Sequence, residues 1–146
     1  KGSRNNSWKG KDGNLFLSFS VDIKTLPKDI PLNAYALYFA MIILETLQDM
    51  GSKIWLKWPN DFYVDNKKIG GLMTNRFKDS LICGVGLNIV NAPELFGILD
   101  IDIDKKQLLK KIFLYLKTKP KWKKLFSNYK LQWQRTKLFL SHHNNE

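Results

Sequence analysis

Between residues 54 and 74 the chain sets Lys57, Asn60, Asp61, Lys68, Gly70 and Gly71 among tryptophans and short apolar runs. A hairpin that only has to fold needs no such set. A pocket for an anionic ligand does. Ammonium groups supply charge to phosphate or carboxylate, and a carboxylate holds a hard cation through oxygen. Glycines let a ligand approach the backbone closely. Lys68 is the first candidate for catalysis, because a cation set between two anions lowers their repulsion and stabilises charge in the transition state. Each residue also has a plainer reading. Lys68 is then an exposed turn lysine beside Lys67, and Asn60-Asp61 an Asx turn after Pro59. Gly71 and Gly84 become bulge or packing glycines, and Asn88 a strand-ending residue.

Several elements must position these residues. The spacing predicts strands over 53–58, 61–65 and 68–75, with a tight turn at Asp65-Asn66-Lys67. A fourth strand over 80–90 carries Gly84-Val-Gly86. Upstream, Lys1–Gly13 is a polar loop around Trp8. Asn14–Ile23 then alternates Leu15, Leu17, Phe19 and Val21 against Phe16, Ser18, Ser20 and Asp22, the pattern of a half-buried strand. Pro31 stands at a first helical position, and Gly51 stops a helix over 31–50. After a loop over 91–103, Asp104 and Gln107 form a capping box that opens a second helix. Pro120 opens a third, with Trp122, Leu125, Phe126, Tyr129 and Trp133 on one face. Leu138-Phe-Leu140 reads as a further strand, followed by a polar tail.

With 146 residues the chain suits one domain. Its single Cys83 rules out an internal disulfide and fits a reducing compartment; in an apolar strand it reads as a core residue. The most apolar run, Ala34–Leu44, is too short to span a bilayer, and no signal-peptide pattern is visible in the given residues, so none is expected. The sequence begins inside a motif, so it is expected to be a piece of a longer protein. The net charge of +11, densest over 105–124, points either to an anionic partner or to a merely solvated lysine surface. A GxxxxGK[ST] phosphate loop is missing, and His142-His143 lacks companion ligands for zinc.

Lys57-Trp-Pro-Asn-Asp61, Lys68-Ile-Gly-Gly71 and Gly84-Val-Gly-Leu-Asn88 resemble, in order and spacing, the signature series of biotin protein ligases: KWPND, K-[IL]-x-G and GxGxN. Gly2-Ser-Arg-Asn-Asn-Ser-Trp8 resembles the end of that family's biotin loop, and Gly13-Asn-Leu-Phe-Leu-Ser18 its GNLY[FL]S strand. The likeness covers residues 1 to 90. It implies an α+β fold, with a mixed, mainly antiparallel sheet backed by helices, as in class II synthetase-like catalytic domains. Residues 1–137 would be that domain, lacking its N-terminal part, and 138–146 a tail or the start of a small C-terminal domain. The implied reaction joins biotin and MgATP into biotinyl-5′-AMP, then passes biotin to a lysine of the biotin carboxyl carrier protein of acetyl-CoA carboxylase, in the cytoplasm.

The resemblance also implies roles. Lys68, Asp61 and Lys57 would be catalytic. Lys1, Gly2, Ser3, Arg4, Phe16, Lys68, Gly71 and Gly84 would hold biotin. Trp8, Lys57, Asn60, Asp61, Lys68 and Asn88 would hold ATP and the adenylate, with Mg²⁺ on Asp61. The pattern departs from the family at Ser3, where arginine is common and Arg4 stands one place later, at Asn5 for glycine, and at Phe16 for tyrosine. A homodimer is compatible with it. Three other readings stand beside this one: a lipoate or octanoate ligase or transferase of the same fold, a basic nucleic-acid-binding module, and a non-catalytic fragment.

Overall fold

A computed structural model of the chain describes residues 11–143, with side chains over 11–139. The strands are β1 (Leu15–Asp22), β2 (Trp55–Lys57), β3 (Asp61–Val64), β4 (Lys67–Phe77) and β5 (Ser80–Leu87). The α-helices are α1 (Tyr35–Asp49), α2 (Lys105–Lys117) and α3 (Trp122–His143). The strands form one sheet in the order β1-β5-β4-β3-β2. Its four pairings are all antiparallel, so among the described residues the sheet is purely rather than mainly antiparallel.

Alternation along β1 sets the two faces of the sheet. Leu15 pairs with Leu87, Leu17 with Val85, Phe19 with Cys83 and Val21 with Leu81. All four β5 partners are buried. Between them Phe16, Ser18 and Ser20 are exposed on the opposite face. Side chains two residues apart share a face, so the first set meets the helices and the second is left open. Helix α1 is the core element, with eleven of its fifteen residues buried. An amphipathic surface helix would bury about half as many, so α1 must be covered on most sides.

The helical starts differ from expectation. Helix α1 begins at Tyr35, not at Pro31. Pro31 instead accepts from Ala34 N at 2.9 Å, closing a turn ahead of the helix. Helix α3 begins at Trp122, not at Pro120. Pro120 is buried, and its carbonyl accepts from Tyr38 Oη at 2.8 Å. Asp29, distant in sequence, accepts from Trp122 N and Lys123 N at 3.2 and 3.1 Å, satisfying two amides of the first turn. The stop at Gly51 and the cap at Asp104 are as expected. Gly51 has φ +100°, and Asp104 accepts from Lys106 N at 3.0 Å.

Leu138-Phe-Leu140 does not form a strand, because α3 runs on to His143. Thr136 Oγ1 donates to Leu56 O at 3.3 Å, and the Phe139 ring packs on Trp55 and Tyr63 with centroids 5.6 and 5.1 Å apart. Thr136 and Phe139 thus keep helical spacing against the β2 edge, and packing overrides a locally strand-like triplet. Strand β5 ends at Leu87 rather than at 90. Its successors leave the ladder for a loop described below.

Residues 105–146 hold twelve Lys and Arg against one acidic residue, so the first 104 residues are balanced and this segment supplies the whole net charge of +11. All twelve cations are exposed on or around α2 and α3, and none joins either ion pair found among the described residues. No helix among the described residues is long and apolar enough to cross a membrane.

Candidate functional site

One row of paired positions crosses the sheet. Phe16 on β1 faces Gly86 on β5; Gly86 faces Gly71 on β4; Gly71 faces Asp61 on β3; Asp61 faces Lys57 on β2. Two glycines in its middle leave a trough where other strands would raise side chains. A second row, Ser18–Gly84–Met73, runs alongside. Together they floor a groove of about 390 Å³ on the sheet face turned away from α1. Phe16 and Met73, half-exposed, flank it on the apolar side. Asn60, Asp61 and Lys68 close the polar end.

Lys68 reaches this face through a β-bulge. Gly71 faces the groove and Gly70 the core, so strict alternation would turn Ile69 outward and Lys68 inward. The pairing with β3 slips between Phe62 and Tyr63, so that Phe62 meets Gly70 but Tyr63 meets Lys68. The extra residue keeps Ile69 fully buried and returns Lys68 to the open face. There Lys68 Nζ lies 2.8 Å from Asp61 Oδ1, with both side chains about 30% exposed. Asn60 braces the turn in front of them. Its Nδ2 donates to Leu72 O at 2.6 Å, while Leu72 N donates to Asn60 O at 2.9 Å.

The two motif glycines differ in kind. A Cβ on Gly71 would stand 3.1 Å from Asp61 Oδ1 and 4.0 Å from Lys68 Cε, against the ion pair itself. A Cβ on Gly84 would meet nothing within 4 Å. Glycine at 84 therefore keeps the groove floor empty without any demand from the fold. Gly70, facing the core, is required by packing: its Cβ would lie 2.3 Å from Gly86 O.

Six of the candidate residues come together here: Phe16, Asn60, Asp61, Lys68, Gly71 and Gly84. Two do not. Lys57 continues the transverse row, but its ammonium stands over the rings of Tyr63 and Phe139, 5.6 and 4.9 Å from their centroids, outside the groove lining. Burial and the Asp61 carboxylate both hold the Tyr63 phenol above its ordinary pKa, so it stays neutral beside the pair. Asn88 is buried behind the start of β4. Its Oδ1 accepts from Asn14 Nδ2 at 3.3 Å, and its Nδ2 donates to Gly97 O at 3.1 Å. Both ends of its amide are thus engaged within the protein. Lys1, Gly2, Ser3, Arg4 and Trp8 lie outside the described residues.

Sequence reasoning passed over Ser18, Met73 and Gly86 as lining residues. The outward phase of β1 already held Ser18, and the GxG repeat held Gly86. Met73 needed the register with β5.

Among the described residues Asp61 is the only carboxylate lining the groove, and no group of three or more His, Cys, Asp or Glu suited to a metal occurs among them. One carboxylate nevertheless fits Mg²⁺, which keeps several waters and takes its other ligands from substrate phosphates. Chemically, the site sets an ammonium and a carboxylate at the end of a trough with an apolar wall. A ligand with an apolar body and an acidic end could lie in the trough, with its charge at Lys68.

The model of the biotin/lipoate A/B protein ligase family matches residues 1–88. Biotin–protein ligase 2 of Arabidopsis thaliana is 32% identical over 102 residues, covering 62% of this chain and 30% of that protein. The biotin–[acetyl-CoA-carboxylase] ligase of Mycobacterium tuberculosis is 28% identical over 97 residues, covering 62% and 34%. The chain thus spans about a third of the length of the curated relatives it matches. Among solved structures, the biotin acetyl coenzyme A carboxylase synthetase of Helicobacter pylori with bound biotinylated ATP superposes with a TM-score of 0.86 at 35% identity, over 92% of this chain and 64% of that one. The biotin protein ligase of Leishmania major in complex with biotinyl-5-AMP, at 18% identity and a TM-score of 0.75, shares the fold.

Proposed function

The chain belongs to the biotin/lipoate A/B protein ligase family, and from that membership we propose that it is the catalytic part of a biotin protein ligase. The observation that carries the reading is the trough floored by Gly71 and Gly84 that ends at Lys68 and Asp61.

In this reading biotin lies along the glycine floor against Phe16, its carboxylate toward Lys68. ATP enters from the side of Asn60 and Asp61. A carboxylate oxygen of biotin attacks the α-phosphorus, the bond to the β-phosphate bridge breaks, and pyrophosphate leaves. Lys68 stands between the two anions and stabilises the charge that accumulates at phosphorus. Asp61 would hold Mg²⁺, which would supply positive charge to offset that of the phosphates. Lys57, one place along the same row, reaches the phosphates by leaving the rings of Tyr63 and Phe139. Lys1, Gly2, Ser3 and Arg4 keep the biotin-holding role, and Trp8 the adenylate-holding role, that the family resemblance implies.

In the second half-reaction the ε-amine of an acceptor lysine attacks the acyl carbon. The C–N bond forms, the acyl–phosphate C–O bond breaks, AMP leaves and the amine loses a proton. Orientation of the neutral amine and exclusion of water carry this step. The acceptor is a biotin carboxyl carrier protein in the cytoplasm. An acidic carrier would be drawn to the exposed cations of residues 105–146. Transfer that is indifferent to salt, or to reversal of those charges, would reject that part.

ATP–pyrophosphate exchange, measured with biotin and with lipoate as the acid, tests the reading. Exchange is expected with biotin and not with lipoate. Exchange with lipoate alone would move the chain to the other branch of its family.

A further inference from the structure

Asn14, Asn88 and Gly97 line no part of the groove, yet Gly97 bonds the backbone of Lys68, Asn88 that of Ile69, and Asn14 ties down the chain that follows Asn88. Strand β4 is longer than its partner. Its last pair with β5 is Gly70 with Leu87, so Lys67, Lys68 and Ile69 project past the end of β5. Their free side is taken by the loop that follows β5. Gly97 N donates to Lys68 O at 2.9 Å, and Asn88 N donates to Ile69 O at 2.7 Å.

That loop is held by two buried amides. Asn88 Nδ2 donates to Gly97 O, and Leu99 N donates back to Asn88 O at 2.8 Å. Asn14, just ahead of β1, takes three successive amides on one oxygen: Ile89, Val90 and Asn91 N at 2.8, 2.9 and 3.2 Å. Its Nδ2 donates to Asn91 O at 2.7 Å and to Asn88 Oδ1. Asn14 is 6% and Asn88 1% exposed, so losing either leaves several buried groups unpaired. Gly97 is there for space. A Cβ would stand 2.8 Å from Lys67 Cβ and 3.2 Å from Ile69 Cγ2, on either side of Lys68.

We infer that Asn14, Asn88 and Gly97 are positioning residues for Lys68: the loop they fix takes over from β5 as hydrogen-bond partner of the first residues of β4 and so sets where the ammonium stands. The bulge turns Lys68 to the groove, Asp61 holds its tip, and this loop fixes its main chain. The catalytic consequence rests on the reading under Proposed function; the geometric one does not. A displacement of about 1 Å at a reacting group costs on the order of 100-fold in rate.

The test uses the full-length protein with Gly97→Ala and, as a milder change, Asn14→Asp, which keeps the acceptor for three amides but loses the donor. Crystal structures of both variants read the Lys68–Asp61 separation. Gly97→Ala is expected to shift the start of β4 and open the 2.8 Å pair. An unmoved pair overturns the inference, whatever the enzyme's substrate. ATP–pyrophosphate exchange is then measured in the wild-type and Lys68→Ala backgrounds. Gly97→Ala should lower kcat by about tenfold or more with KM for biotin within about twofold, and cost little further once Lys68 is gone. Asn14→Asp should do the same to a smaller extent. Equal losses in both backgrounds, or an unchanged kcat, would show that the loop does not act through Lys68. Absence of exchange in the wild-type protein would instead remove the proposed function, and the Lys68–Asp61 separation in the variant crystals would then decide the inference by itself.

Discussion

Lys68 Nζ and Asp61 Oδ1 lie 2.8 Å apart across the β3–β4 pairing, at the end of a trough whose floor is glycine. The partnership has two uses. Before ligands arrive, the carboxylate keeps the ammonium placed and partly desolvated. In the proposed reaction the two would separate once ligands arrive, the cation turning to the acid and the α-phosphate and the carboxylate left free to hold a metal. A pair about 30% exposed contributes little to stability, so its loss should be felt in chemistry more than in folding.

Gly84 and Gly71 separate ligand space from protein space. Gly84→Val puts carbon into the trough and meets no protein atom near its Cβ. Its thermal midpoint is expected to stay within a degree or two, corresponding to about 0.5 kcal/mol or less, while affinity for biotin falls at least tenfold. Gly71→Ala should weaken binding and also slow the first half-reaction, since its Cβ presses on Asp61, the ion-pair partner of Lys68. Isothermal titration with biotin, beside pyrophosphate exchange, distinguishes the two patterns.

Much of this was legible in the chain, and the misses have physical causes. The alternation of β1, the helical face of α1 and the spacing from Lys57 to Lys68 are local signals that the fold keeps. The bulge that turns Lys68 outward left no local mark, because it is a mismatch between two strands. The hydrogen-bond partner of Asn88 is equally non-local. Only the fold brings Asn14 to it from 74 positions away. Leu138–Leu140 looked like a strand because three apolar residues cannot declare a period. Packing of Thr136 and Phe139 on the β2 edge decided in favour of helix.

Asp100 gives the fold an acid-sensitive tie. Its carboxylate accepts from Ser52 Oγ at 2.5 Å and from Lys53 N at 2.8 Å, joining the loop after β5 to the approach to β2. Partial burial opposes ionisation, but those two bonds and the Lys53 charge outweigh it and hold the pKa below the ordinary carboxylate value. A depressed folded pKa contributes stability that is complete above the unfolded value, about 3.9, and is lost as pH falls through the folded one. Asp100→Asn should therefore flatten the fall in thermal midpoint below about pH 4, with little change in slope near neutrality. An unchanged acid slope would contradict this role.

Cys83 lies fully buried on β5 opposite Phe19, and burial pushes its thiol up to about 12. The raised value means that its contribution is complete below the unfolded thiol pKa, about 8.5, and is lost as pH rises from there toward the folded value. At pH 8 the native protein should react with a thiol reagent at least about a hundredfold more slowly than the urea-unfolded chain, because the nucleophile is the thiolate and it is both scarce and covered. Equal rates would mean that β5 is open at this point.

The proposed function requires the Lys68 ammonium to bridge a carboxylate and a phosphate. Its most direct test is biotin-dependent ATP–pyrophosphate exchange by the wild-type protein and by Lys68→Ala, with circular dichroism as the check on folding. The expected result is a native spectrum in both and a loss of exchange of about 10²- to 10³-fold in the variant, as for removal of one charge-stabilising donor. Exchange at the wild-type rate by a folded Lys68→Ala protein would contradict it.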